Sequence, residues 1–269
     1  MNPITRRAAL SGVALGGAAL VTGCAASLTS VTKPRTTTPN ANPATAVPPP
    51  AASGETIMMT PAAFASKHQV VALPFKAAAL NGISEKMIVS HHENNYTGAV
   101  KNLNRAEQEL AATNKDTPPF VVAALRDREL TFRNSKTLHE AYFANLGGDG
   151  RRSGSVENAL SQAYGSSAVW EQHFRATGSG LGGGSGWVVL ALELDTGELR
   201  TFGSGNHTQV LATAVPLLVM DMYEHSYQID FGAGVARYLD AFFVNIQWDE
   251  VNRRFERAQR VATAWRNAS

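Results

Sequence analysis

From Ser84 onward the apolar residues recur at helical spacing, through Met87, Ile88, Ala99, Val100, Leu103 and Leu110. Turn residues fill Asn114 to Pro119. A second helix is predicted from about Phe120 to Leu146, stopped by Gly147-Gly148. Two long helices on so short a link fold back as an antiparallel hairpin. Beyond Arg151 come two shorter helical patches, 156–164 and 167–175, and then a glycine-rich stretch, Gly178 to Gly186, that predicts a loop. Trp187 to Leu194 is a continuous apolar run of strand length, Asp195-Thr196-Gly197 a tight turn, and Leu199 to Phe202 the returning strand. Val215 to Asp221 supplies a third strand. Helices over about Val235–Ile246 and Glu250–Trp265, the latter with Asp249 as N-cap, close the chain. This order, a long α-hairpin followed by a small three-stranded antiparallel sheet with further helices, is an α+β arrangement.

The pattern before residue 67 is of another kind. Arg6-Arg7 precedes an apolar run from Ala8 to Val21 that ends at Val21-Thr22-Gly23-Cys24. Basic residues, then a short stretch of small apolar ones, read as an export signal. Thr5-Arg6-Arg7-Ala8-Ala9-Leu10 resembles a twin-arginine (Tat) signal, and Val21–Cys24 resembles a bacterial lipobox whose cysteine is lipidated. Residues 25–66 are dominated by Ala, Thr, Ser and Pro, including Pro48-Pro49-Pro50, and bury too little apolar surface to offset chain entropy. The expected organisation is a signal with lipobox over 1–24, a disordered linker over 25–66, a helical hairpin domain over 67–150 and an α/β domain over 151–269. The expected location is the cell envelope: periplasmic, and membrane-anchored through Cys24.

Composition narrows the chemistry. The 269 residues carry a formal charge of +2, and without Arg6 and Arg7 the remaining 22 basic residues face 22 acidic ones. With no clustered basic face, a nucleic-acid partner is excluded. Gly178–Gly186 precedes a strand and lacks Gly-Lys-Ser/Thr, so it is not a phosphate loop. A lone cysteine forms neither an internal disulfide nor a thiolate zinc site, which leaves nitrogen and oxygen ligands for any metal.

Asp221-Met222-Tyr223-Glu224-His225 offers such ligands where a core strand ends, and carboxylate with imidazole suits iron, manganese or zinc. Asp221–Tyr227, with Trp248-Asp249-Glu250 downstream, resembles the C-terminal signature of the iron/manganese superoxide dismutases, in which the aspartate and histidine of D-x-W-E-H bind metal; Tyr223 replaces the tryptophan. Leu73-Pro74-Phe75, Met87–His91 running on to Asn102-Leu103-Asn104, Arg133-Asn134 with His139 and Tyr142-Phe143, and Gly184-Ser185-Gly186-Trp187 follow in the family's order. The resemblance spans about Val70 to Trp265.

It implies one iron or manganese ion per chain, held by His91, His139, Asp221 and His225, with Trp187 over the metal. It also implies superoxide as substrate, an antioxidant role, and a homodimer with Glu224, Gln228 and Asn95 near the interface. His68 is expected in the linker, His92 on another helix face and His173 on an exposed one. Three departures qualify the resemblance. Asn95 and Ala99, four and eight residues after His91, stand where the family has a histidine and a tyrosine, on a stripe expected to face the site. Gln228 stands where the family has a tyrosine that pairs with that histidine across the dimer. Asn206-His207 stands where manganese-type members have Asn-Gln, and Ser135 at the iron-type glutamine position. His207 is therefore the candidate for the outer-sphere role, with Tyr223 and Asn95 further candidates around the centre. An active dismutase is the first expectation. The alternative is a non-enzymatic envelope lipoprotein that keeps the metal, or only the fold.

Overall fold

A computed structural model describes residues 61–268. The signal, Cys24 and most of the linker lie outside the described residues. Residues 61–66, assigned above to the linker, already include a helical turn at Ala62–Phe64. The Ser66 N–H is held by Glu107, so the ordered part begins before Lys67.

The hairpin comprises α1 (Glu85–Ser90), a π-helical segment (His91–Tyr96), α2 (Thr97–Ala111) and α3 (Pro119–Ala144). Ser84 caps α1 by accepting the Met87 N–H. Pro119 supplies the fixed φ suited to the first position of α3. The unbroken helix expected from Ser84 is thus interrupted. Burial runs Met87, Ile88 and His91, then Tyr96, Ala99, Val100 and Leu103. The step of five from His91 to Tyr96 is the wider π turn, and it rotates Asn95 out of the inward stripe to a half-buried position.

The second half comprises α4 (Ser155–Tyr164), α5 (Ser167–Leu181), β1 (Trp187–Glu193), β2 (Leu199–Ser204), β3 (Ala214–Asp221), α6 (Gln228–Phe231), α7 (Val235–Phe243) and α8 (Trp248–Ala268). Two expectations are corrected. Helix α5 continues through Gly178 and Gly180 to Leu181, shortening the predicted loop. A Cβ at Gly178 would lie 2.7 Å from Met220 Cε and 3.0 Å from Leu239 Cδ2, so this glycine serves close packing rather than a turn. Helix α8 starts at Trp248, which puts Asp249 in its first turn rather than at the cap. There a carboxylate still complements the positive end of the helix dipole.

The sheet is antiparallel with order β2-β1-β3. Strand β1 is central and buried from Trp187 to Leu192, which explains its unbroken apolar sequence. Its register sets Trp187 opposite Asp221 on one side and Ser204 on the other. The hairpin is tied to this sheet at one level. Asn145, just after α3, accepts the Val219 N–H with Oδ1 at 2.9 Å, and its carbonyl accepts the Gln247 N–H at 2.9 Å. Leu146 bridges Ile246. These bonds fix the end of α3 against β3 two residues before Asp221.

Candidate metal centre

Four side chains from both halves converge. His91 opens the π segment, His139 lies on α3, Asp221 ends β3 and His225 sits in the helical turn Glu224–Ser226. One ligand atom from each lies within 4.8 Å of every other. Asp221 Oδ2 is the hub, 3.1 Å from His91 Nε2, 3.3 Å from His225 Nε2 and 3.6 Å from His139 Nε2. Asp221 and His91 are fully buried and His139 nearly so, whereas the His225 side chain keeps 26% of its surface exposed.

Each group is oriented from behind. His139 Nδ1 donates to the Ser135 carbonyl at 2.7 Å, which fixes the tautomer and leaves Nε2 a lone pair aimed at the cluster. Asp221 Oδ1 accepts the Tyr223 N–H at 2.8 Å, freeing Oδ2. The Asp221 carbonyl takes hydrogen bonds from Tyr238 Oη at 2.7 Å and Ser226 Oγ at 2.9 Å. Burial drives His91 below its ordinary pKa, and burial with the neighbouring His91 pushes His139 down to about 3. Burial alone would raise the Asp221 carboxyl, but His225 and His91 hold it far below the usual range.

The donor set fits a cation. Among the described residues, His91 Nδ1 and His139 Nε2 make no hydrogen bond, and His91 Nε2 has only the Asp221 carboxylate beside it at 3.1 Å. The neutral His91 and His139 rings crowd their nitrogens against one buried carboxylate oxygen, and a cation between them would satisfy all three. Three nitrogens and one oxygen form a set that could hold iron or manganese.

Aromatic rings wall the centre. Tyr142 and Phe143 lie 5.2 and 5.0 Å from the His91 ring, and Trp187 lies 5.0 Å from His139. Trp187 Nε1 donates to His207 Nδ1 at 3.0 Å. His207 stacks on Tyr223 at 4.8 Å, and Tyr223 stacks on His225 at 5.3 Å. The loop carrying His207 is fastened to α3 by Asn134 Nδ2, which donates to the His207 carbonyl at 2.8 Å.

The expected site residues therefore divide. The four clustered groups, Trp187, His207 and Tyr223 come together. Asn95 does not join them, and its amide makes no hydrogen bond to the described residues. Glu224 and Gln228 are exposed. His68 is not a free linker histidine, because it pairs with Glu107 at 2.8 Å. His92 reaches the Val71 carbonyl and His173 is exposed, both on other faces as expected. Sequence reasoning missed Tyr96, whose buried ring takes the inward place after His91; its only sequence signal is that step of five.

Residues 152–254 match the family described as iron/manganese superoxide dismutases, C-terminal domain. A superoxide dismutase [Fe] of Cupriavidus metallidurans is 43% identical over 194 residues, covering 72% of this chain and 98% of that protein. The chain belongs to the iron/manganese superoxide dismutase family. Further relatives carry both metals in their names. A superoxide dismutase [Mn] 1 of Halobacterium salinarum is 32% identical over 72% of this chain and 97% of its own length. A superoxide dismutase [Fe] of Aquifex pyrophilus is 33% identical over 70% and 92% respectively. In this superoxide dismutase family member Asp221 and His225 lie inside the matched stretch 152–254, and His91 and His139 lie before it.

Proposed function

We propose that this chain is a superoxide dismutase whose single iron or manganese ion is held by His91, His139, Asp221 and His225. The observation that carries the proposal is the convergence of these four groups, three of them buried, with His139 Nε2 making no hydrogen bond and His91 Nε2 having only the Asp221 carboxylate beside it among the described residues. The bound ion supplies one-electron chemistry, so that two superoxide anions and two protons become one dioxygen and one hydrogen peroxide. The chain's own task is to orient, to exclude bulk water and to manage protons. The buried aromatic wall excludes water, and the half-exposed edge at His225 and Tyr223 is the side open to a small anion. Trp187 fixes His207. An indole N–H only donates, so Nδ1 accepts and the ring proton rests on Nε2. His207 is thereby a neutral, single-donor residue, and burial lowers its pKa further. It fills the outer-sphere role by offering a fixed N–H, as an amide would.

A second reading, a non-enzymatic member, is favoured by Ala99 at the family's tyrosine position and by Asn95 outside the cluster. Metal content and superoxide consumption of the purified mature chain separate the two. One equivalent of iron or manganese with rapid consumption supports the dismutase. Metal without consumption supports the second reading, and no metal rejects the ligand assignment and leaves only the fold-only form of that reading.

The placement proposed for it is the cell envelope, with export directed by the Arg6-Arg7 signal and anchoring through lipidated Cys24. Support comes from the sequence of residues 1–24. A homodimer is proposed through the face bearing exposed Glu224 and Gln228, with Asn95 nearby.

A further inference from the structure

The four clustered side chains do not by themselves account for the π segment. A π turn gives up regular helical hydrogen bonds and persists where its surroundings hold it. Here it begins at His91 and ends at Tyr96. The Tyr96 ring is buried, 6.2 Å from the His139 ring and 6.1 Å from Phe143. Its hydroxyl works in both directions. It accepts the Val71 N–H at 2.8 Å and donates to Glu140 Oε1 at 2.7 Å. Glu140 directly follows His139, and its other oxygen takes Lys136 Nζ at 2.9 Å. His92, directly after His91, donates from Nε2 to the Val71 carbonyl at 2.8 Å. Both backbone groups of Val71 are therefore taken by the π segment. One tyrosine hydroxyl joins this extended strap to the residue beside His139.

We propose that Tyr96 and Glu140 are positioning residues for the metal centre, setting the separation and rotation of the His91 and His139 segments and so how tightly the ion is retained. The inference rests on the ligand assignment under Proposed function. A hydroxyl-to-carboxylate bond is among the stronger neutral-to-charged contacts, and it spans the two helices at the level of the histidines. Its partners away from Tyr96 reach water: Val71 is exposed and Glu140 half-buried. Removing the hydroxyl thus strands no deeply buried group, and the fold survives while the alignment slackens.

The test uses the metal-loaded protein and four variants, Tyr96→Phe, Glu140→Ala, Glu140→Gln and the Tyr96→Phe/Glu140→Ala pair. Metal release into excess chelator is timed, and the visible or electron-paramagnetic spectrum of the bound ion is recorded beside the melting curve. Tyr96→Phe and Glu140→Ala should each speed release by about tenfold or more, the range seen when groups orienting metal ligands are removed. The pair should be well short of the product of the two single effects, because the hydroxyl-to-carboxylate bond that both delete is lost only once. Glu140→Gln keeps a carbonyl acceptor and should restore most of the retention and the parental spectrum. A parent that holds its ion while Tyr96→Phe releases it no faster, with an unaltered spectrum, overturns this inference alone. So do independent, multiplying effects in the pair. A parent that takes up no metal overturns the ligand assignment as well.

Discussion

Replacing His207 by Leu tests the outer-sphere geometry without relying on catalysis. Trp187 is wholly buried, and its indole N–H donates to His207 Nδ1 at 3.0 Å. Leucine fills similar space but accepts nothing, so a buried donor is left unpaired at a cost of about 1–3 kcal/mol. The stacked contact with Tyr223, 4.8 Å between centroids and 14° from parallel, is lost too and adds about 0.5–1.5 kcal/mol. The sum, about 1.5–4.5 kcal/mol, corresponds to a fall in Tm on the order of 3–18 °C for a domain of this size. His207→Gln offers an amide oxygen to the same indole and should lose only about 1 kcal/mol, the stacking share. Guanidinium unfolding of the metal-free proteins at pH 7.5 measures the difference without a contribution from metal release. Equal midpoints for the Leu and Gln variants would show that the indole does not depend on His207, and the tautomer argument would fall with it.

Three further outcomes follow from particular contacts. Glu107 is buried, and its carboxylate takes the Ser66 N–H, His68 Nε2 and Arg133 Nη2 at 2.7–2.8 Å, which depresses its pKa against the effect of burial. Glu107→Ala should cost about 1–3 kcal/mol, discounted for the half-exposed Arg133, and open residues 66–71 to protease; an unchanged cleavage map by mass spectrometry would contradict this. In the metal-free protein the unfolded His139 takes a proton below about 6.5 and the folded one only near 3, so stability should fall as pH drops through that window. Each such histidine contributes a slope of up to about 1.4 kcal/mol per pH unit, and a flat profile between pH 7.5 and 5 would refute neutral burial. Cys24→Ser should move the mature protein from the membrane to the soluble fraction, and continued membrane association after signal removal would refute the lipid anchor.

The strands were the most legible part of the sequence. A run such as Trp187–Leu192 can only be a fully buried strand or helix segment, and the turn at Asp195–Gly197 selects strand. The four clustered groups were legible because each belongs to a motif with its own neighbours. The π segment was not, since His91-His92-Glu93-Asn94-Asn95-Tyr96 marks a five-residue step only by the ring of Tyr96, and one position does not separate it from a four-residue step to Asn95. The extension of α5 through Gly178 was hidden for a different reason. Local propensity argues against glycine in a helix, and only the approach of Met220 and Leu239 makes it the residue that fits. The Tyr96–Glu140 contact joins residues 44 positions apart, beyond the reach of any local pattern.

The clustered side chains also bear on the topology of the chain. His91 and His225 stand near opposite ends of the described sequence, with most of the hairpin and the whole sheet between them. An ion shared by both acts as a cross-link that closes this long loop. Unlike a covalent link it restrains only the folded chain, and it stabilises that state as any ligand bound by the native form alone does. Its loss would loosen no single helix. It would release one joint between the two halves, which the contacts at Asn145, Leu146, Asn134 and Ser84, among others, would still hold together.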